Sequence, residues 1–505
     1  MKGKSLTMKH LRGGVIALAA LLAAVSCADG FESSDKFESS VKNASLKSPD
    51  AAGFKIELDV QRADGANCMR VSWPLVVGAG GYLCNVADIT DESAPKEVVT
   101  DSIVDGVSVL FPYEDDTRYQ ISIQTLGNKE LNNTGAETAT VTAYTTGGES
   151  VPVPSSNKDL GAFIAKYLAD NAETLEAKRA EDPNFEVAFD LEAGAEYTID
   201  TDIDMGLLNT RIRNIVEDNR PKVSVNCPIV TGAGLKLKNI NFDFSGSSAI
   251  ALIALCKIGE ENQADFESIT LENLGYKALG ASFDGYMIEK SVVVQNCWIK
   301  NLPAALLHAQ ATPWSLKNVT VENCIVQLNN DGTALFEFTG AGNSLIKEHK
   351  ISNSTIYSND DINASFINYP RQLDAHQILG GTSDSASSSI IFENSTFAKF
   401  SKKQMGNNSK DTKTGHHVIR NCIFYDCFRI YQIFGRNNTT RDAENNILDY
   451  ITVSEDSNDT PRFGETESTG FGEPFGDIDF AKENAGLNFK AKGAISSTIG
   501  DPRWK

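Results

Sequence analysis

The stretch Val321-Glu-Asn323-Cys-Ile-Val326 has a simple order: apolar, any residue, Asn, small or apolar, any residue, apolar. Six further copies are centred on Asn239, Asn273, Asn296, Asn353, Asn394 and Asn421, at Asn-to-Asn spacings of 34, 23, 27, 30, 41 and 27 residues. Repetition at this period marks a chain built from stacked units. The residues two and four before each Asn share one face, as in a strand whose side chains alternate. After Asn the inward positions are one and three later. The parity breaks at Asn, so the chain turns a corner there. Asn tolerates the left-handed backbone conformation, and its amide can hydrogen-bond to stacked copies of itself. A coil of about 23 residues with one stacked corner Asn predicts a right-handed parallel β-helix, its coils about 4.8 Å apart. Longer spacings are loops thrown out of the coil. The position after Asn reads Cys297, Cys324, Ser354, Ser395 and Cys422, which predicts an inward ladder of small side chains. Those thiols read as reduced and buried rather than as disulfides, although Cys297 and Cys324 are adjacent enough for a bridge to stay open. The sequons at Asn353 and Asn394 read as corners.

Working outward, residues 157–505 form the β-helix. At its start Leu160, Phe163, Ile164, Tyr167, Leu168 and Ala172 recur at helical spacing to about Lys178. This predicts one helix, begun at Ser156 or Asn157, that covers the apolar end of the first coil. The Pro/Gly/Ser-rich residues 148–156 read as a linker. Residues 53–147 hold short alternating segments such as Phe54–Val60, Met69–Trp73 and Tyr119–Ile123, which predict a small antiparallel β-sandwich. The chain as a whole is therefore all-β. Trp73, Tyr82 and Tyr119 fall where a fibronectin type III module has its core aromatic residues, and the region resembles such a module, which implies a spacer. By parity Cys68 faces away from that core and Cys84 faces into it, which argues against a bridge between them.

The first 26 residues read as a signal peptide. Lys2, Lys4, Lys9 and Arg12 precede an uncharged apolar run of 11 residues, Val15–Val25, too short to span a membrane. Ala24-Val-Ser-Cys27 resembles the lipobox of bacterial lipoproteins, with Ala24 in place of the usual Leu. The resemblance implies acylation of Cys27, a lipid anchor as the only membrane contact, and an outer-membrane, surface-exposed location. Residues 27–52, rich in Ser, Asp, Glu and Lys, read as a flexible tether. The formal charge is −21, or about −25 once the four positive charges of the signal are gone. Such a surface repels nucleic acid.

The repeat resembles the pectin-lyase-like superfamily. The whole layout, with its Gly500-Asp-Pro-Arg-Trp504 tail, resembles a group of uncharacterised Bacteroidetes lipoproteins that pair a fibronectin type III module with a β-helix. The resemblance implies capture or breakdown of polysaccharide. Pectate lyases of this fold hold calcium and use Arg or Lys as base, whereas polygalacturonases use Asp residues on neighbouring coils. Neither set is present: Asn330-Asp-Gly332 and Asn359-Asp-Asp361 stand without Gly-His-Gly or Arg-Ile-Lys and read as turns. Asp200-Thr-Asp-Ile-Asp204 begins like an EF-hand, but Met205 replaces its Gly and Arg211 its Glu. With six His in all, and His416-His417 reading as a turn pair before a strand, no metal or cofactor is expected, calcium aside if the protein is a lyase.

Sugar binding needs flat aromatic faces and hydrogen-bonding groups on an exposed surface. Trp298, two after its Asn, points outward, and Trp314, Tyr357, Tyr369 and Arg371 complete the candidate set. Arg371 can grip a uronate carboxylate or act as a lyase base. The alternative is that a loop covers Trp298 and that Arg371 pairs with a local acid. The expected function is polysaccharide or oligosaccharide binding; a polysaccharide lyase or glycoside hydrolase, and a non-catalytic adhesin, are the alternatives.

Overall fold

The computed structural model describes residues 41–505 except 63–66, 91–93, 183, 261, 267, 270–284, 289, 310–313, 331, 339–344, 361, 363, 369–388, 400–415, 428–439, 450–467, 473–474 and 493–497. The chain divides into two compact units, up to Gly148 and from Glu149 onward.

The first unit is a sandwich of two antiparallel sheets. Strands β1 (Lys55–Gln61), β2 (Asn67–Ser72) and β5 (Ser108–Pro112) form one, in the order β1-β2-β5. The other has the order β4-β3-β6-β7, from β3 (Tyr82–Asp88), β4 (Lys96–Val104), β6 (Arg118–Thr125) and β7 (Thr140–Thr145). The inward halves of the alternating strands meet in one core of Met69, Val71, Trp73, Tyr82, Cys84, Val86, Phe111, Tyr119, Ile121 and Ile123. Trp73 and Tyr82 pack edge to face at 5.4 Å, as do Phe111 and Tyr119 at 5.9 Å. Each buried Tyr keeps its hydroxyl satisfied: Tyr82 Oη accepts the Val76 N–H at 2.8 Å and Tyr119 Oη the Glu114 N–H at 2.7 Å.

Two expectations change here. Cys68 stands outside that cluster of core side chains, as its parity requires, yet it is fully buried; alternation says which way a side chain points, not what lies over it. Cys68 and Cys84 are both free thiols. The tether ends earlier than residue 52. Asn43 and Leu46 donate backbone hydrogen bonds to Leu131 and Thr134, Thr134 donates back to Ala44, and Leu46 is buried against the sandwich. Leu46, with Val41 and Ala44 packed beside it and backbone bonds on each side, docks the short segment.

The second unit consists of stacked parallel sheets, consistent with a β-helix. The first sheet runs from β8 (Glu149–Val153) and β9 (Glu186–Leu191) to Thr440–Glu444. The second has nine strands, from Glu196–Ile199 to Ile447–Asp449, and the third six, from Ile203–Asp204 to Ile367–Asn368. Like residues stack in register: Phe189, Ile212, Leu237, Val294, Val321, Ile351, Phe392 and Ile419 form one inward column of the first sheet. All eight are buried. The segment read as a linker contributes the outermost strand, because Glu149–Val153 pairs parallel with β9. Its Pro152 is tolerated since an edge strand has one side free of ladder bonds. The helix is two helices, α1 (Leu160–Asp170) and α2 (Ala172–Glu181), separated at Asn171. Asp159 caps α1 by accepting the Ala162 N–H at 3.2 Å, and Leu160 and Ile164 are buried in the solenoid core.

The corners are built as the repeat requires. Asn239, Asn296, Asn323, Asn353, Asn394 and Asn421 have φ of 58°, 54°, 52°, 50°, 48° and 54°. Asn273 lies outside the described residues. The amides bond along the stack: Asn296 Nδ2 donates to Asn239 Oδ1 at 2.6 Å, Asn323 Nδ2 to Asn296 Oδ1 at 3.1 Å, and Asn421 Nδ2 to Asn394 Oδ1 at 3.2 Å. The small residue after each Asn has its own task. Cys324 Sγ accepts the Cys297 N–H at 3.5 Å, Ser354 Oγ the Cys324 N–H at 3.0 Å, and Ser395 Oγ the Ser354 N–H at 3.3 Å. Each therefore satisfies a buried backbone donor of the coil before it. Cys297, Cys324 and Cys422 are free, and burial pushes the Cys422 thiol up to about 12.

Two predictions test this frame. Asn394→Ala removes the ladder acceptor and puts in left-handed backbone a residue that tolerates it less well than Asn, so it lowers stability by about 1–2 kcal/mol, while Asn394→Gly, with no β-carbon there, loses clearly less; chemical denaturation of both variants checks this. His349 stands in a second inward column between Val319 and Ile390. It is fully buried against Phe336 and Phe366, and burial, then the neighbouring His417, holds its pKa down at about 3. The folded state therefore keeps it neutral, whereas the unfolded chain protonates it below about 6.5. Stability present above that pH falls by about 1.4 kcal/mol per unit toward pH 3. His349→Val removes that share of the pH slope, read from denaturation curves between pH 7 and 4.

Candidate functional site

The outer face of the second sheet is where sugar-binding aromatics were expected. Trp298, Ile325, Thr355, Thr396, Ile423 and Ile447 do stack there in register and point outward. The face is nevertheless closed. Phe471, Phe475, Ile478, Leu487, Phe489 and Trp504, from residues 468–505, lie over Trp298, Ile325, Tyr357 and Tyr425. Trp298 is 8% exposed, with the Arg220 guanidinium 4.8 Å above its ring. Tyr357 is fully buried, and its hydroxyl donates to Gly476 O at 2.9 Å. Trp314 is also fully buried, packed against Phe266 and Tyr286, with Nε1 donating to Cys256 O at 2.9 Å. None of these three offers a face to a sugar. Tyr369 and Arg371 lie outside the described residues.

The closing segment is fastened by Gly500–Trp504 near its end. Gly500 has φ +87°, and a β-carbon there would meet Ile423 Cδ1 at 2.8 Å and Thr396 Oγ1 at 2.9 Å, so only Gly fits. The Asp501 carboxylate has no exposure. Its Oδ2 accepts the Thr355 hydroxyl at 2.7 Å and pairs with Arg503 Nη2 at 2.6 Å. Arg503 donates in turn to Asn323 O, Cys324 O and Asn353 O at 3.0, 2.6 and 2.9 Å. Trp504 Nε1 donates to Thr355 Oγ1 at 2.7 Å, so that hydroxyl is used as donor and acceptor at once. Further along, Asn359, read as a turn, also grips this segment, donating to Gly476 O at 3.0 Å and accepting its N–H at 2.7 Å. Asp331 and Asp361 lie outside the described residues.

Beside this clasp a groove of about 570 Å³ runs along the Asn corner. Its floor is Asn239, Asn296, Asn323 and Asn353, and its wall is Lys238, Gln295 and Glu322 on the first sheet. Ile215 and Glu217, from the turn between Asn209–Arg213 and Lys222–Val225, and Pro502 of the tail complete the lining. Lys238, Gln295 and Glu322 stand in register, one per coil, and Gln295 Nε2 donates to Glu322 Oε2 at 3.0 Å. Glu217 Oε1 accepts from Asn296 Nδ2 at 3.0 Å, and Arg220 Nε donates to Asn296 O at 2.9 Å; these bonds hold the turn over the floor. Ile215 is 66% exposed. The groove therefore joins planar amides and carboxylates to a small apolar rim. Its wall was missed in the sequence because the position before each Asn was read as free to be anything. That position is polar in every copy: Lys238, Glu272, Gln295, Glu322, Ser352, Glu393 and Arg420.

A second polar row lies on the outer face of the third sheet, where His308, Glu337 and Asn368 stack in register. Asn368 Nδ2 donates to both Glu337 oxygens at 2.8 and 3.1 Å, and the Ala334 N–H donates to Oε2 at 3.2 Å. Burial lowers the His308 pKa, opposed by the Glu337 charge, and its Nδ1 is buried with no hydrogen-bond partner among the described residues. Among the described residues no three His, Cys, Asp or Glu side chains gather to hold a metal ion.

Residues 1–194 match the model of a family described as a domain of unknown function (DUF4992), and residues 195–359 match another, also a domain of unknown function (DUF4957). The boundary between the matches falls between β9 and Glu196–Ile199, inside the solenoid, so the first family takes in the sandwich, both helices and the opening strands. No curated protein and no solved structure matches the chain.

Removing the anchor of the clasp tests its weight. Asp501→Ala leaves the guanidinium of Arg503 and the hydroxyl of Thr355 without their buried partner. We expect a loss of about 3–5 kcal/mol, measured as a lowered unfolding transition together with faster proteolysis within residues 468–505.

Proposed function

We propose that this is a lipid-anchored cell-envelope protein, anchored through Cys27 and displayed at the outer-membrane surface, that binds polysaccharide or oligosaccharide as part of a glycan-utilisation system. The observation that carries the reading is the corner groove. A sugar offers hydroxyl groups that both donate and accept, together with a weakly apolar ring face. Side-chain amides and carboxylates arrayed beside Ile215 and Pro502 are complementary to that surface. The three-plus-four sandwich, with Trp73 on Tyr82 and Tyr119 fixing the entry to its own strand, supports a fibronectin type III-like spacer that holds a right-handed β-helix away from the lipid.

A catalytic form of the same role, as lyase or hydrolase, draws on the His308–Glu337 row, where an imidazole stands beside a fixed carboxylate. It is the weaker reading, because among the described residues no third His, Cys, Asp or Glu side chain gathers with that pair.

Affinity electrophoresis of the full chain through gels containing neutral and acidic polysaccharides tests the proposal. Retardation by at least one glycan is expected, weakened about thirtyfold by combined Gln295→Ala and Glu322→Ala, each removing a hydrogen bond of about 1 kcal/mol. Retardation by none would overturn binding and favour an adhesin. New reducing ends or unsaturated products, lost in Glu337→Gln, would establish the catalytic form instead.

A further inference from the structure

The charge around the groove bears on which glycans it takes. Three of its lining residues carry charge: Glu217, Lys238 and Glu322. Two arginines stand close by, but both are turned onto the protein. Arg220 lies over Trp298 and donates to Asn296 O, and Arg503 is paired with Asp501 and bound to Asn323 O, Cys324 O and Asn353 O. Their guanidinium donors are engaged by carbonyls and a carboxylate, which keeps the bidentate fork away from an incoming acid. Glu217 is exposed and Glu322 is half-buried, so two acceptor-only groups face whatever enters.

We infer that the groove selects neutral oligosaccharides over acidic ones, with Glu217 and Glu322 as the residues that set the preference; this rests on the glycan-binding reading of the same groove. Hydroxyl groups donate to the two carboxylates. A uronate carboxylate or a sulfate ester in the same place meets like charge across a few ångströms, facing a single Lys238, on a chain whose formal charge is −21. The wall repeats one polar group per coil, so the ligand that matches it is a chain laid along the stacking direction. From Asn239 to Asn353 the described floor rises through about three coil steps, roughly 14 Å, which suits a short oligosaccharide rather than a single sugar.

Calorimetric titration of the full chain with short neutral oligosaccharides (cello-, xylo- and manno-series) and with oligogalacturonates provides the test. At about 0.15 M salt we expect at least one neutral series to bind, and oligogalacturonates to bind at least about tenfold more weakly. The gap should shrink at about 1 M salt, where screening acts within about 3 Å. It should shrink also in Glu217→Gln with Glu322→Gln, which keep an amide oxygen for Asn296 and Gln295 and remove only the charge. Oligogalacturonates binding as tightly as the neutral series at about 0.15 M salt, or a gap that does not shrink at about 1 M, would overturn the inference and leave glycan binding standing. Binding by no series would overturn both. The salt arm uses the unaltered protein and so does not depend on the variants folding.

Discussion

From Leu235–Lys238 onward, the larger unit depends on a left-handed Asn at one corner of the coil. An L-amino acid with a β-carbon adopts that backbone at a cost of about 1–2 kcal/mol. Asn is chosen over Gly because the side chain returns something: its amide bonds to the Asn of the next coil. The constraint spreads from there. A turned corner leaves the following N–H buried, and the side chain after Asn in the next coil takes it up. With corner and donor fixed, the strands on either side must keep their register, and the inward columns of Val, Ile, Leu and Phe follow.

How far this could be read in advance differs from place to place. The corner was legible because two signals coincided, a fixed Asn and a shift in parity around it. A further corner was passed over at Asn445, whose φ is 53°. The next residue there is Asn446 where the pattern sought something small or apolar. Asn446 does the same work by other means, its Oδ1 accepting the Cys422 N–H at 3.0 Å. Pro152 misled for a related reason. A proline argues against a strand only where its missing N–H is needed, and at the sheet edge it is not.

The candidate site was much less legible. The outward orientation of Trp298 was legible, and so was the alternative that a loop covers it, but not which residues do the covering. The residues that cover it begin about 170 positions later, in a segment with no repeat of its own. Local periodicity carries no information about such a contact. The same segment explains the tail Gly500–Trp504, which in sequence suggested only kinship. Gly500 fits a gap that admits no side chain, and Asp501 and Arg503 tie Thr355 to three corner carbonyls. The groove itself formed at the one position of the repeat treated as noise, because a residue that merely has to be polar leaves no regular trace.

That indifference has a consequence of its own. In each coil the interior takes the apolar positions, the corner takes Asn, and the residue after it takes the buried donor. The position before Asn is bound by none of these and sits one coil step from its equivalents above and below. Lys238, Gln295, Glu322, Glu393 and Arg420 are all partly exposed and can be exchanged among themselves with the backbone unchanged, whereas Ser352 is buried. The stripe behaves as a line of movable type set in a rigid frame: related chains can carry quite different inscriptions there while folding through identical coils.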